Sequence, residues 1–321
     1  MLGEIMITGN KKLRILAFSD AHRTTFDDID VAGIDLAIFA GDFMCQDWRT
    51  IDDSHFIKWC KANPNLPVWF IPGNHDYFDS SHPKENLPGN VTRIDDGQIH
   101  DFRGVKIYGA MCCEEGAHQT TCSQKVLAQI NGIPAGVDIL VVHEPPMLDD
   151  KTVSYSDMKH SHFGKKEVTD KIKAVVPGLV ICGHVHENLV REGKIGETKV
   201  VNVSRVRFRR TAHHPVYSPW IIEVSDDGAG KLKFDVSPTR MAIDFLGDVR
   251  DRLRPLAKSI NRHINNLVAQ KIPVDILDKD IRARLEALRD SEPLARDYLA
   301  RIAEIDAVAA GRGVTQIGHV N

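Results

Sequence analysis

Residues 13–22 read LRILAFSDAH, an apolar run that passes without a break into Ser19, Asp20 and His22. A run this short, closed by polar residues, is the pattern of a strand buried on both faces. Four later stretches repeat it: LAIFAGD at 36–42, VWFIPGNHD at 68–76, ILVVHEPP at 139–146 and LVICGHVH at 179–186. Each places Asp, Asn or His directly where its strand ends. Open α/β sheets bind ligands beyond the carboxyl ends of their strands, so five such clusters on neighbouring strands predict one shared crevice.

Around these blocks, alternating stretches at 99–102, 105–108, 188–191, 199–203, 220–224 and 232–236 predict strands with one exposed face, and the mixture predicts two packed sheets. Residues 50–62 and 165–176 carry helical apolar spacing, with Pro64 and Pro177 as stop signals. The texture changes near Met241. Leu246, Val249, Leu253, Leu256, Ile260, Ile264 and Leu267 stand three or four apart, as a helical stripe requires, and Pro255 breaks or starts that helix. Two more helices are predicted at about 274–289 and 293–309, the latter with Ser291 as N-cap and Pro293 in its first turn. The expected organisation is a catalytic domain over 1–240 and an all-helical extension over 241–321. The extension's stripe needs a cover: the rest of the chain, a bundle of its own, a second copy or a protein partner.

A chain of 321 residues, 42% apolar and 26% charged, buries one large core with enough left for such an appendage. With a net charge of −3 and a pI of about 6.6, no overall positive field draws it to nucleic acid or anionic lipid, so any polyanion contact is local. Residues 1–12 lack the pattern of a secretory leader and no run reaches membrane-spanning length, so a soluble cytoplasmic protein is expected. The six cysteines include no C-x-x-C pair, which argues against a zinc knuckle or a disulfide framework; adjacent Cys112 and Cys113 read as a buried loop.

The residue types at the five strand ends fit phosphoester hydrolysis, which needs charge neutralisation on the phosphoryl oxygens and a strong nucleophile near neutral pH. Two metal ions supply both. A carboxylate can bridge two cations, and neutral imidazoles bind transition metals without adding charge that repels phosphate. Asp42 is the expected bridge. Asp20, His22 and His186 would complete the shell of one ion and Asn74, His143 and His184 that of the other, with hydroxide between them as nucleophile. Mixed nitrogen and oxygen ligation favours Mn, Fe, Zn or Ni over Ca, Mn being the leading choice. His75, between Asn74 and Asp76, is the expected acid for the leaving oxygen, with Asp76 fixing its tautomer.

In order and spacing these five blocks resemble the calcineurin-like metallophosphoesterase superfamily over about 13–236. The resemblance implies an α/β fold, a two-sheet β-sandwich flanked by helices in α/β/β/α layers, and it supports the ligand roles above. GDFMCQD at 41–47 lacks the Asp-Arg-Gly continuation of the superfamily's protein serine/threonine phosphatases, and GNHD carries Asp where they carry Glu. The run from HEPPMLDD through His160, His162 and Gly164 to VICGHVHE looks more like its small phosphodiesterase-type branches. The expected function is therefore a dinuclear-metal phosphodiesterase acting on a nucleotide or other small phosphoester by in-line attack. The alternatives are a nuclease, a phosphomonoesterase, and a non-catalytic metal-binding scaffold that works through its helical tail. His162 is the expected pocket histidine; His118, His160, His213 and His214 read as surface residues. In SRVRFRR at 204–210, Arg205, Arg207 and Arg209 share one face of a strand. Arg207 and Arg209 are thus candidate phosphate contacts, against the alternative of a solvated face paired to acidic neighbours.

Overall fold

Strands that are apolar on both faces need cover on both, and the computed structural model supplies it with two sheets back to back and helices outside them. It describes residues 13–21, 26, 29–43, 54–76, 87–113, 123–150, 152–156, 161–186, 191–204, 219–227 and 230–238, with 283, 286–287, 289, 296 and 299 beyond these. The elements begin β1 (Leu13–Phe18), β2 (Leu36–Ala40), α1 (His55–Ala62), β3 (Val68–Ile71), β4 (Val91–Arg93), β5 (His100–Phe102), β6 (Val105–Ala110), α2 (Gln124–Gly132) and β7 (Ile139–Val142). They continue β8 (Tyr155–Ser156), β9 (Ser161–His162), α3 (Lys166–Val175), β10 (Leu179–Cys182), β11 (Glu192–Ile195), β12 (Thr198–Asn202), β13 (Trp220–Asp226) and β14 (Leu232–Pro238).

One six-stranded sheet has the order β14-β13-β1-β2-β3-β4 and the other β11-β12-β10-β7-β6-β5, while β8 and β9 form a small hairpin. The inner strands of both sheets are parallel, and antiparallel strands sit at three of the edges: β13 and β14, β5, and β11. Alternation along each strand divides the side chains. Ile15 and Ala17, Leu36 and Ile38, Ile107, Ile139 and Val141, and Ile181 form the core between the sheets. The opposite residues of the second sheet, among them Leu140, Val142, Val180 and Val200, pack under Val126 and Ile130 of α2 and Val168 and Ile172 of α3. Each such buried side chain contributes about 1.5–3 kcal/mol.

The outer face of the first sheet is covered by an aromatic layer. Phe39 of β2 meets Phe56 of α1 at 4.8 Å between ring centroids, and Phe18 of β1 meets Trp59 at 5.5 Å. Phe43 packs on Phe56 at 4.4 Å. Helix α1 starts where Ser54 accepts the Ile57 amide at 3.2 Å. The layers are thus α/β/β/α, as expected.

Three expectations shift. A strand expected at 188–191 is not found at its described end: Arg191 lies outside any strand and β11 begins at Glu192, while 188–190 lie outside the described residues. Helix α2 and the short β4, β8 and β9 had no counterpart in the sequence reading. The expected helices start later, at His55 and Lys166, because the N-cap backbone of Ser54 and Lys165 is extended.

The chain divides into two compact units, one comprising Met1–Arg205 and Ser218–Thr239, the other Val206–Tyr217 and Arg240–Asn321. In the second, the described residues Ala283, Glu286, Ala287, Arg296 and Leu299 are helical, and Arg289 pairs with Glu286 at 3.1 Å. The remainder of the predicted C-terminal helices lies outside the described residues. Among the described residues no helix is long and apolar enough to cross a membrane.

Candidate metal centre

Parallel pairing sets the site. Phe18 of β1 stands opposite Phe39 of β2, so Asp20 and Asp42 leave adjacent strand ends together. In the second sheet Val141 stands opposite Ile181, which brings out His143 beside Gly183 and His184. The Asp20 amide donates to Gly41 O at 2.8 Å and the Gly183 amide to His143 O at 3.0 Å. Ser19 bridges to Ser204 across the sheets, its amide reaching Val203 O at 3.2 Å.

At these turns the backbone is forced. Asp20, Asp42 and His184 adopt φ of 56°, 62° and 69°, left-handed conformations that are uncommon for side-chain-bearing residues and that Arg103, Cys112 and Val176 also take. Gly41, at φ 95°, has no room for a side chain: a Cβ there would stand 2.5 Å from His143 Nδ1 and 2.8 Å from Gly73.

The donors converge. Those of Asp20, Asp42 and His143 lie within 4.8 Å of one another, and all three residues are buried. On one side Asn74 Oδ1 stands 3.1 Å from His143 Nε2 and 2.9 Å from His184 Nδ1, with Asp42 Oδ2 3.5 Å from His143 Nε2. On the other side His186 Nε2 stands 3.7 Å from Asp20 Oδ1. Nitrogen and oxygen donors bind transition metals at about 2.0–2.2 Å, so donors sharing one ion stand roughly 3–3.5 Å apart, which these spacings approach. Asp20 Oδ1 is buried and has no hydrogen-bond partner among the described residues, an arrangement that is costly without a cation. The set fits divalent ions.

Second contacts fix the donors' aim. His143 Nδ1 donates to Ala40 O at 2.7 Å, which turns Nε2 toward the cluster. Asp20 Oδ2 accepts from Ser19 Oγ at 2.6 Å and from the His184 amide at 2.9 Å, leaving Oδ1 to face His186. Asp42 Oδ1 accepts the His75 amide at 2.8 Å, and the His75 ring, partly exposed, reaches within 4.0 Å of Asp42 Oδ2. Asp76, expected to orient the His75 ring, also engages the backbone. Its Oδ2 accepts the amides of Asp42 at 2.6 Å and Gly73 at 2.9 Å, tying two strand ends together.

The structure therefore brings together Asp20, Asp42, Asn74, His75, Asp76, His143, His184 and His186. His162 lies on β9, half-buried, its ring 5.1 Å from that of Tyr155. His22, Arg207 and Arg209 lie outside the described residues. Sequence reading missed Glu144, buried with Oε2 3.7 Å from His184 Nε2, and the buried Arg191, Asn202 and Ser204. For Glu144 the only signal was its place next to a histidine.

Without ions the cluster binds protons in their place. Burial pushes the Asp20 carboxyl up, against the pull of His143 and with the push of Asp42, to about 7. Burial alone would lower His143, but Asp42, with Asp20 and the Ala40 carbonyl, raises it to about 10. Burial likewise raises Glu144 to about 7, against the pull of Lys165 and His143. The Cys113 thiol is pushed well up by burial and then by Glu144 and Asp42, so it is an inert neighbour. An incoming cation has to displace the protons of Asp20 below about pH 7 and of His143 below about pH 10. Ion affinity is therefore expected to rise with pH from 6 to 8, with protons released on binding. Potentiometric titration in weak buffer checks this; an affinity flat over that range would contradict it.

Comparison with known proteins places the chain in a family. A metallophosphoesterase domain-containing protein of Homo sapiens is 26% identical over 240 residues, covering 66% of this chain and 71% of its own. A UPF0046 protein of Caenorhabditis elegans is 26% identical over 233 residues, covering 64% and 80%. Among solved structures, phosphopantetheinyl hydrolase of Mycobacterium tuberculosis matches with a TM-score of 0.39 at 13% identity, over 60% of this chain and 89% of its own. The profile of the calcineurin-like phosphoesterase superfamily domain matches residues 13–227, across both sheets and every strand end that supplies a donor, and the chain belongs to that superfamily.

Proposed function

We propose that this chain is a metal-dependent phosphodiesterase acting on a nucleotide or another small phosphoester. The observation that carries the reading is the convergence of Asp20, Asp42, Asn74, His143, His184 and His186 at the ends of strands from both sheets, with a buried Asp20 oxygen that a cation would satisfy. In the proposed assignment Asn74, His143 and His184 hold one ion, Asp20 and His186 with His22 hold the other, and Asp42 is shared. Two ions there would neutralise the phosphoryl oxygens and acidify a water for attack near neutral pH. Manganese suits the mixed donor set.

The chain's own residues do the rest. His143, held by Ala40 O, and Asp20, held by Ser19 and the His184 amide, need no reorganisation as charge develops. His75 stands at the rim with its backbone anchored to Asp42, where its ring can give a proton to the departing oxygen. A scaffold has no use for such an acid, which supports a catalyst over an interaction module. Phosphate contacts through His162, Arg207 and Arg209, and association through the C-terminal helices, belong to the same proposal.

The test is a panel on one preparation with added Mn: an activated aryl phosphodiester, the matching monoester and single-stranded DNA. The diester is expected to turn over fastest. Faster cleavage of DNA would make the chain a nuclease, a preference for the monoester would make it a phosphomonoesterase, and no turnover of any member would leave the scaffold.

A further inference from the structure

We propose that Arg191, with Asn202 and Ser204, is a positioning device that holds the His184–His186 turn in its ion-binding conformation. This rests on the metal reading of that turn. Arg191 is 7% exposed, and Asn202 and Ser204 are fully buried. Burying a guanidinium is costly unless its donors are all engaged, so its acceptors show what it holds in place. Nη1 donates to Asn202 Oδ1 at 3.3 Å and to Ser204 Oγ at 3.1 Å, and makes a further close contact with Ser204 O. Nη2 reaches across to His186 O at 3.3 Å.

The two residues that Arg191 grips hold the adjacent carbonyl. Val185 O accepts from Asn202 Nδ2 at 3.0 Å and from Ser204 Oγ at 2.9 Å. Asn202 Nδ2 also donates to Val153 O at 2.8 Å, which fixes the amide against rotation. The peptide between the two histidines is thus held from behind by one hydroxyl and one amide, and the next carbonyl by the guanidinium. In front, His184 bonds Asn74 through Nδ1, and His186 faces Asp20. Ser204 in turn bridges Ser19, the neighbour of Asp20, so one network sets the distance between His186 and Asp20 from both sides. The backbone of His184 has a further tether in Asp20 Oδ2.

Full-length wild type, Arg191→Lys and Ser204→Ala, stripped of metal and matched by circular dichroism, are titrated calorimetrically with Mn²⁺. Lysine keeps the charge and removes the fork; alanine removes one hydroxyl and no charge. The expected result is two ions bound by wild type, with one of the two weakened about 10–100-fold in Arg191→Lys and about 3–10-fold in Ser204→Ala, the scale of outer-shell losses. Diester turnover is expected to recover to within about threefold at saturating Mn²⁺, because the ion's affinity and not the chemistry is impaired. If Arg191→Lys does not fold, the Ser204→Ala titration decides. Wild-type affinities in folded variants that are merely less stable would overturn the positioning role alone. A wild type that binds no Mn²⁺ would overturn the metal reading and this inference together.

Discussion

If Asp42 is the carboxylate shared by two ions, as proposed, its replacement by asparagine is expected to lower turnover by roughly 10³-fold or more, because the stabilisation that a bound metal ion gives the transition state is worth several kcal/mol at about 1.4 kcal/mol per decade. The substitution is gentle everywhere except at the charge. Asparagine tolerates the left-handed φ of 62° and keeps an oxygen for the His75 amide. Asp76 still receives the Asp42 backbone amide, so the strand ends stay tied. What disappears is the negative oxygen 3.5 Å from His143 Nε2. The variant is expected to fold, to bind fewer ions than wild type by elemental analysis, and to lose most of the rise in melting temperature that Mn²⁺ gives wild type. Wild-type ion content together with full turnover in Asp42→Asn would remove Asp42 from the centre.

His75→Ala tests a different link, because its expected signature is selective. The ring is partly exposed at the rim, and the His75 backbone amide, which alanine retains, donates to Asp42 Oδ1. Ion binding is therefore expected to stay within about twofold of wild type. General acid catalysis contributes about 10²–10⁴-fold where the leaving group needs a proton, so an alkyl or nucleoside ester is expected to slow by about that factor. An aryl ester whose leaving group departs as a stable anion should slow far less. An equal loss on both esters would mean that the ring binds substrate and donates no proton.

The five central strands could be read from sequence to the residue, at Leu13–Phe18, Leu36–Ala40, Val68–Ile71, Ile139–Val142 and Leu179–Cys182, for a physical reason. A parallel strand covered on both faces has to be apolar throughout, and it stops where the chain turns polar. The candidate donors Asp20, Asp42, Asn74, His143, His184 and His186, which the structure brings together, were legible on the same ground, since they sit at those stops, while His22 lies outside the described residues. Helix α2 was not legible: its buried face is only Val126 and Ile130, too short a stripe to stand out. Strand β4 has three residues, with Thr92 exposed, at a sheet edge that its pairing with β3 defines and its composition does not. Expectation and structure part most clearly at Arg191, Asn202 and Ser204. The sequence places Arg191 and Asn202 only in strands with one exposed face, at 188–191 and 199–203, and it takes the packing of β12 against the His184–His186 turn to make them, with Ser204, a buried network.

The left-handed backbone at Asp20, Asp42 and His184 has an evolutionary corollary. Glycine is the residue most at ease in that conformation, and at each of these positions it would also take a titratable group out of the interior. Chance replacement by glycine would therefore ease the backbone at a cost to the donor set and to the bonds that Asp20 Oδ2 and Asp42 Oδ1 accept from the His184 and His75 amides. Glycine would relieve the backbone at each of the three positions and delete a candidate ligand at the same time, so conformational ease and ion capture pull in opposite directions there.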